Sequence, residues 1–171
     1  FQRGTKSAQA QLVGSGPILR EALRAQTILA DKFGISTDVW SATSYLTLRR
    51  EAMEVDRWNT SHPDEEFRTP YVVSQLAPTQ GPVIAASDYV RAVPDQIAPW
   101  LKGRLLSLGT DGFGRSDTRS ALRRFFEIDA ESIAYATLSQ LARSGEFPRK
   151  KLASALKTLD LSPSPRAPWT A

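Results

Sequence analysis

Three groups of residues have types and spacings that could do chemistry. The densest is Gly109-Thr110-Asp111-Gly112-Phe113-Gly114-Arg115-Ser116-Asp117, where two carboxylates, an arginine and three glycines share one loop. Glycine permits positive φ, so such a loop can fold its polar groups round a phosphate or offer them to a partner chain. The same residues also fit a structural turn, with Asp117 capping the next helix and Arg115 in one ion pair. The second group is Gly14-Ser15-Gly16, placed between a strand and a helix. It has the first half of a dinucleotide-binding pattern, with Leu19 at the third glycine position and Asp38 near the place of a ribose-binding acid. A lone G-x-G is equally a tight strand-to-helix turn with free N–H groups. The third is His62 with Asp64-Glu65-Glu66. One imidazole without a partner base or nucleophile reads as structural, and the acidic run lacks the spacing of an oxygen-rich calcium loop. No catalytic constellation is complete. No catalytic residue, cofactor ligand or metal ligand is assigned.

Composition closes further routes. The 171 residues contain no cysteine and one histidine, which excludes disulfides, zinc–thiolate sites, iron–sulfur clusters and cysteine nucleophiles. The net charge of +4 is carried by the stretch from Arg143 onward, chiefly Arg149, Lys150, Lys151 and Lys157. No aromatic residues interleave with these lysines as a stacking platform would need, so they read as a solvated helix face and not a nucleic-acid groove. No apolar run approaches the ~20 residues of a membrane span, and Arg3 and Lys6 precede no signal-peptide stretch. Neither a membrane nor a nucleic acid is expected as a partner.

The elements that must hold these groups alternate. Short strands are expected at 9–13, 36–41, 82–87 and 104–108. A helix over 17–32 carries Leu19, Ala22, Leu23 and Leu29 at helical spacing, begins at Pro17 and stops at Gly34. A helix over 45–57 follows Thr43 and Ser44, with Leu46, Leu48, Met53 and Val55 as its apolar positions. Residues 58–70 read as a polar surface excursion, 71–76 as a short helix, and 78–81 as a turn. Asp88 opens a helical segment that Pro94 breaks or restarts. Helices are expected from Asp117 to Phe126, from Asp129 to Ala142 and from Pro148, the last with Leu152, Leu156 and Leu159 on one face. Trp58 and Trp100 read as core or interface anchors. The tail 162–171 should lie extended. The unbroken apolar run 82–87 suits a strand covered on both faces. The whole reads as a single three-layer α/β/α domain with a mostly parallel sheet of four to five strands.

Several strings resemble one family. Gln11 to Gly16 with Ile18-Leu19-Arg20, Asp38-Val39-Trp40-Ser41 with Thr43-Ser44, and Glu51 to Arg57-Trp58-Asn59 all do so. The strongest match is Gly109 to Asp117, followed by Arg119, Leu122, Arg123, Phe126, Glu127 and Asp129-Ala130. Pro168-Trp169 is similar to the family's C-terminus. The chain resembles the transketolase C-terminal-like domain of the homodimeric bacterial pyruvate dehydrogenase decarboxylase component, and the likeness covers essentially its whole length.

That resemblance implies a fragment of a longer, cytoplasmic enzyme that decarboxylates pyruvate and acetylates the lipoyl group of the dihydrolipoyl acetyltransferase component. It implies thiamine diphosphate and magnesium in the parent. The family's diphosphate signature, a Gly-Asp-Gly followed by paired asparagines, is absent here, so neither cofactor is expected to bind this chain alone, which should be inactive. The implied role is structural support of the dimer, with the upstream domains and the second subunit as partners. Asp111, Phe113 and Arg115 are the interface candidates, since none has an obvious local task. The alternative is a small-ligand or regulatory-nucleotide site at the Gly14–Gly16 turn.

Overall fold

All five residues of the first strand, Ala10–Gly14, are buried. A strand buried along its whole length needs a cover on each face. The computed structural model describes residues 1–4, 7–76 and 79–170. Its strands are β1 (Ala10–Gly14), β2 (Thr37–Ser41), β3 (Val83–Ala86) and β4 (Leu105–Leu108). They form one all-parallel sheet in the order β2-β1-β3-β4. Leu12 pairs with Val39 on one side and Ile84 on the other. At the β2 edge, Gln2 adds a single antiparallel bridge to Val39, with bonds of 2.7 and 2.8 Å.

The helices are α1 (Leu19–Phe33), α2 (Tyr45–Ser61), α3 (Tyr71–Leu76), α4 (Arg119–Phe125), α5 (Ala130–Arg143) and α6 (Leu152–Thr158). Alternation along the strands sends Leu12, Ile84 and Ala86 to one face, where they pack with residues of α1, α5 and α6 such as Leu29, Ile133 and Ala155. Val13, Val83 and Ala85 face the other way, onto Tyr45 of α2, Val72 and Leu76 of α3, and Ile97 and Leu101. The three expected layers are present.

The differences from expectation are local. Gly14 is the last residue of β1 and not the stop after it. Pro17 lies in a 3-10 turn, Gly16–Ile18, and α1 starts at Leu19. Residues 88–93 form turns instead of a helix, and a 3-10 helix spans Pro94–Leu101. Asp117 does not cap α4. Thr118 does, its hydroxyl accepting the Ala121 N–H at 3.3 Å, while Asp117 accepts from the Thr118 N–H at 2.7 Å. The tail contains a 3-10 turn at Pro168–Thr170 and is not wholly extended. Its last residue, and Pro78 of the expected 78–81 turn, lie outside the described residues.

Helix α2 was expected to bury Leu46 and Met53, but both are exposed. The buried positions are Tyr45 and Ala52, with Leu48 partly covered. The segment after α2 packs on other residues of the helix, Glu51, Trp58 and Asn59, and not on Leu46 or Met53. It runs back along the helix and is tied at two points. Asn59 exchanges two 2.9 Å bonds with the Arg68 backbone, and the Glu51 carboxylate accepts the Tyr71 N–H at 3.0 and 3.1 Å. Trp58 stacks on His62 at 4.5 Å and lies 3.6 Å from the Arg68 guanidinium. Trp100 donates to Asp56 at 2.8 Å, joining the 3-10 helix to α2.

The Tyr45 hydroxyl is buried and meets no hydrogen-bond partner among the described residues. Burial raises its pKa above the ordinary 10.0. An unfolded chain releases this proton near pH 10, whereas the folded chain retains it. The stability it contributes is therefore intact below about pH 10 and is lost above that, by about 1.4 kcal/mol per pH unit. Tyr45→Phe should reduce that alkaline slope and keep or raise stability at neutral pH, since an orphaned hydroxyl costs about 1 kcal/mol or more. Urea melts across the alkaline range check this. An unchanged slope in the variant would refute it.

Candidate functional site

In a parallel α/β sheet, ligands and partners meet the carboxyl ends of the strands, above all where strand order reverses. Here the reversal lies between β1 and β3. Four segments converge at this edge: the turn after β1, residues 87–93 after β3, residues 109–118 after β4, and the C-terminal turn Pro168–Thr170.

The glycines let these segments touch. A Cβ on Gly109 would come within 2.5 Å of the Tyr89 carbonyl oxygen. Thr110 fastens the same approach, its N–H donating to Tyr89 at 2.9 Å and its hydroxyl to the Asp88 carbonyl at 3.0 Å. Gly112 has φ +111°, and a Cβ there would meet the Pro168 carbonyl oxygen at 2.5 Å. The loop is thus pressed between residues 88–91 and the chain's last turn.

The three expected interface residues part company. Phe113 is 80% exposed. Asp111 is engaged within the domain: its Oδ1 accepts the Arg91 backbone N–H at 3.3 Å, and its Oδ2 lies 3.0 Å from Arg91 Nε. That second contact is an ion pair out of line for a hydrogen bond. The Arg115 guanidinium lies 4.1 Å from the Phe125 ring centre, a cation–π contact. The expectation that Asp111 and Arg115 lack local tasks is therefore corrected. The sequence could not show that Arg91 and Phe125 come to meet them. Tyr89, Val90 and Trp169 are also exposed. With Phe113 they give four apolar side chains on segments that touch one another.

The Gly14–Gly16 turn is built differently from a phosphate cradle. A Cβ on Gly14 would lie 2.6 Å from Leu19 Cα, so this glycine lets α1 close on the sheet. The Ile18 N–H bonds to Ser15, and the Leu19 N–H to Gly16. Gly16, at φ +53°, faces the Asp88 carboxylate, whose Oδ1 would be 3.8 Å from a Cβ there. A carboxylate beside spent N–H groups disfavours an anion. The adjoining crevice, about 620 Å³, is lined by Asp88 and Asp117 against Arg119 and Arg123. Among the described residues, no group of three His, Asp or Glu side chains is placed to hold a metal ion. His62 lies on α2's far end, with Nδ1 2.8 Å from the Trp58 carbonyl.

One buried carboxylate gave no sequence signal beyond an arginine three residues on. Glu21, only 5% exposed, accepts from Arg123 at 2.8 Å, Arg24 at 2.9 Å and the Ala130 N–H at 3.1 Å. It joins α1 to α4 and α5. Its role is to hold the layer together behind the edge.

Residues 1–129 match the family model described as the transketolase-like TK C-terminal domain. The chain belongs to that family. The Mycolicibacterium smegmatis protein named pyruvate dehydrogenase E1 component is 49% identical over 150 residues, which is 88% of this chain and 16% of that protein. The protein of the same name from Cupriavidus necator is 43% identical over 173 residues, 99% of this chain and 19% of that one. The Escherichia coli K12 protein, also so named, is 40% identical over 152 residues, 88% and 17%. This transketolase-like C-terminal domain thus spans less than a fifth of the length of these relatives. The family match takes in the glycine-rich loop and α4, and ends at Asp129, the N-cap of α5.

Proposed function

We propose that this chain is the C-terminal, dimer-supporting domain of a pyruvate dehydrogenase of the acetyl-transferring kind, and that loop 109–117 acts by contact and not by chemistry. The parent would be a homodimeric bacterial cytoplasmic enzyme. It would decarboxylate pyruvate with thiamine diphosphate and magnesium and pass the acetyl group to the lipoyl group of the acetyltransferase component. This domain's own neighbours would be the upstream domains and the second subunit.

The reading is carried by the exposure of Phe113 on a loop that touches the segments carrying the exposed Tyr89, Val90 and Trp169, at the carboxyl edge of the sheet. Apolar side chains gathered at such an edge suit burial against protein. The names of the relatives support the choice of parent. The residues of this chain do not fit magnesium diphosphate. Its one asparagine, Asn59, is spent on the Arg68 backbone, and no acidic group of metal-binding size stands among the described residues. In this reading the cofactor belongs to other parts of the parent, and no step of the reaction runs through these side chains.

Phe113→Ala in the full-length protein is the test. Dimer dissociation, followed by sedimentation, should strengthen about tenfold or more, as for a buried aromatic anchor. The isolated domain should melt as before, because Phe113 contributes little to its core. Unchanged assembly would overturn the reading.

A further inference from the structure

We propose that the C-terminal turn Pro168–Thr170 is a clasp on loop 109–117, with Arg91 as the positioning residue that couples the two. A loop with three glycines has a large conformational entropy to lose on ordering, so something must hold it. Residues 111–114 are held at two points, and both lead to the same place. Asp111 is fixed by Arg91, through its backbone N–H and its Nε. The Arg91 guanidinium in turn lies 4.6 Å from the Trp169 ring centre. Gly112 packs beneath Pro168 and Trp169, with a Cβ position 2.5 Å from the Pro168 carbonyl and 3.1 Å from Trp169 Cα. The turn itself is closed by the Thr170 N–H and hydroxyl, which both donate to the Ala167 carbonyl at 3.0 and 2.9 Å, and by Arg166 donating to Thr170 at 3.1 Å.

Arg91 therefore sits at a three-way junction. One part of it holds the loop after β4, another receives the last turn, and its own backbone belongs to the loop after β3. Arginine suits this place because its planar cation can pair with a carboxylate and lie against an indole together, which a lysine ammonium does less well. Two holds on one short loop are coupled, so freeing either end should loosen the other. Phe113 follows Gly112 directly. The clasp thus sets where Phe113 is presented, and this last step rests on the contact reading above.

Hydrogen exchange on the 171-residue chain tests the clasp without reference to assembly. In Trp169→Ala and in Arg91→Ala, the amide of Thr110, whose N–H donates to Tyr89, should exchange about tenfold faster or more, while β1 and α1 keep their protection. Arg91→Lys should fall between Arg91→Ala and the parent. In the reverse direction, Asp111→Ala should speed exchange at Thr170, whose N–H donates to Ala167. Loop exchange within about twofold of the parent in both Trp169→Ala and Arg91→Ala would overturn the clasp. So would faster exchange spread evenly over β1 and α1, since that reports global destabilisation. If the clasp fails while Phe113→Ala still weakens the full-length dimer, the contact reading survives alone. If exchange behaves as expected and the dimer is indifferent to Phe113→Ala, the clasp survives alone.

Discussion

Ile84→Asp should unfold this domain or lower its melting temperature by roughly 10–20 °C, taking about 2–4 °C per kcal/mol for a chain of this size. Ile84 is fully buried in β3, with Leu12 of β1 and Leu106 of β4 as its neighbours across the ladder. Two losses combine there. Removing the side chain forfeits about 2–5 kcal/mol of burial and packing. A carboxylate in its place would stand among apolar side chains such as Leu12 and Leu29, so it must either remain charged in an apolar layer or take up a proton, each at a cost of several kcal/mol. Together these approach the whole stability of an ordinary domain, about 5–15 kcal/mol. Ile84→Val, which keeps the shape, should cost only about 1 kcal/mol. A melting point for Ile84→Asp within a few degrees of the parent would remove Ile84 from the centre of the sheet.

Glu21→Ala should cost about 3 kcal/mol in urea denaturation, with the m-value unchanged. The loss is large because the partners stay behind. Arg123 keeps a largely buried guanidinium without its carboxylate, and the fully buried Ala130 loses the acceptor of its N–H. Arg24 is mostly exposed, so its bond to Glu21 adds little. Glu21→Gln should cost less than Glu21→Ala, because the amide oxygen can still accept from Ala130. Adding Arg123→Ala to Glu21→Ala should restore part of the loss, as a double-mutant cycle would show. A change within about 0.5 kcal/mol for Glu21→Ala would mean that water satisfies these groups.

The strands were legible because their signal is local. Four short runs followed or ended by glycine or serine came out within a residue of β1 to β4. The parallel order followed from the helices between them. Helix α2 was misread in part because periodicity shows that a stripe exists, not which stripe the tertiary fold covers. Leu46 and Met53 looked like core, but the face of α2 that packs inward is the one carrying Tyr45, Leu48 and Ala52. The candidate site divided along similar lines. Phe113 could be read as an apolar side chain on a turn. Asp111 and Arg115 could not be placed, since Arg91 is twenty residues from Asp111 in sequence and nothing local marks them as partners. The cap at Thr118 was missed by one position because Asp117 and Thr118 are both good capping types.

The sheet order has a consequence for the path by which the molecule forms. Leu12 meets Val39 after one helix, but it meets Ile84 only after α2, the excursion and α3 have been laid down. The entropy of closing the longer loop rises only as the logarithm of its length, so the delay costs little in final stability. It matters in time, because non-local parallel pairing is slow. A unit of β1, α1 and β2 can gather early from neighbouring chain, with one flank of its central strand still open. The arrival of β3 closes that flank, and β4 then has an edge on which to add.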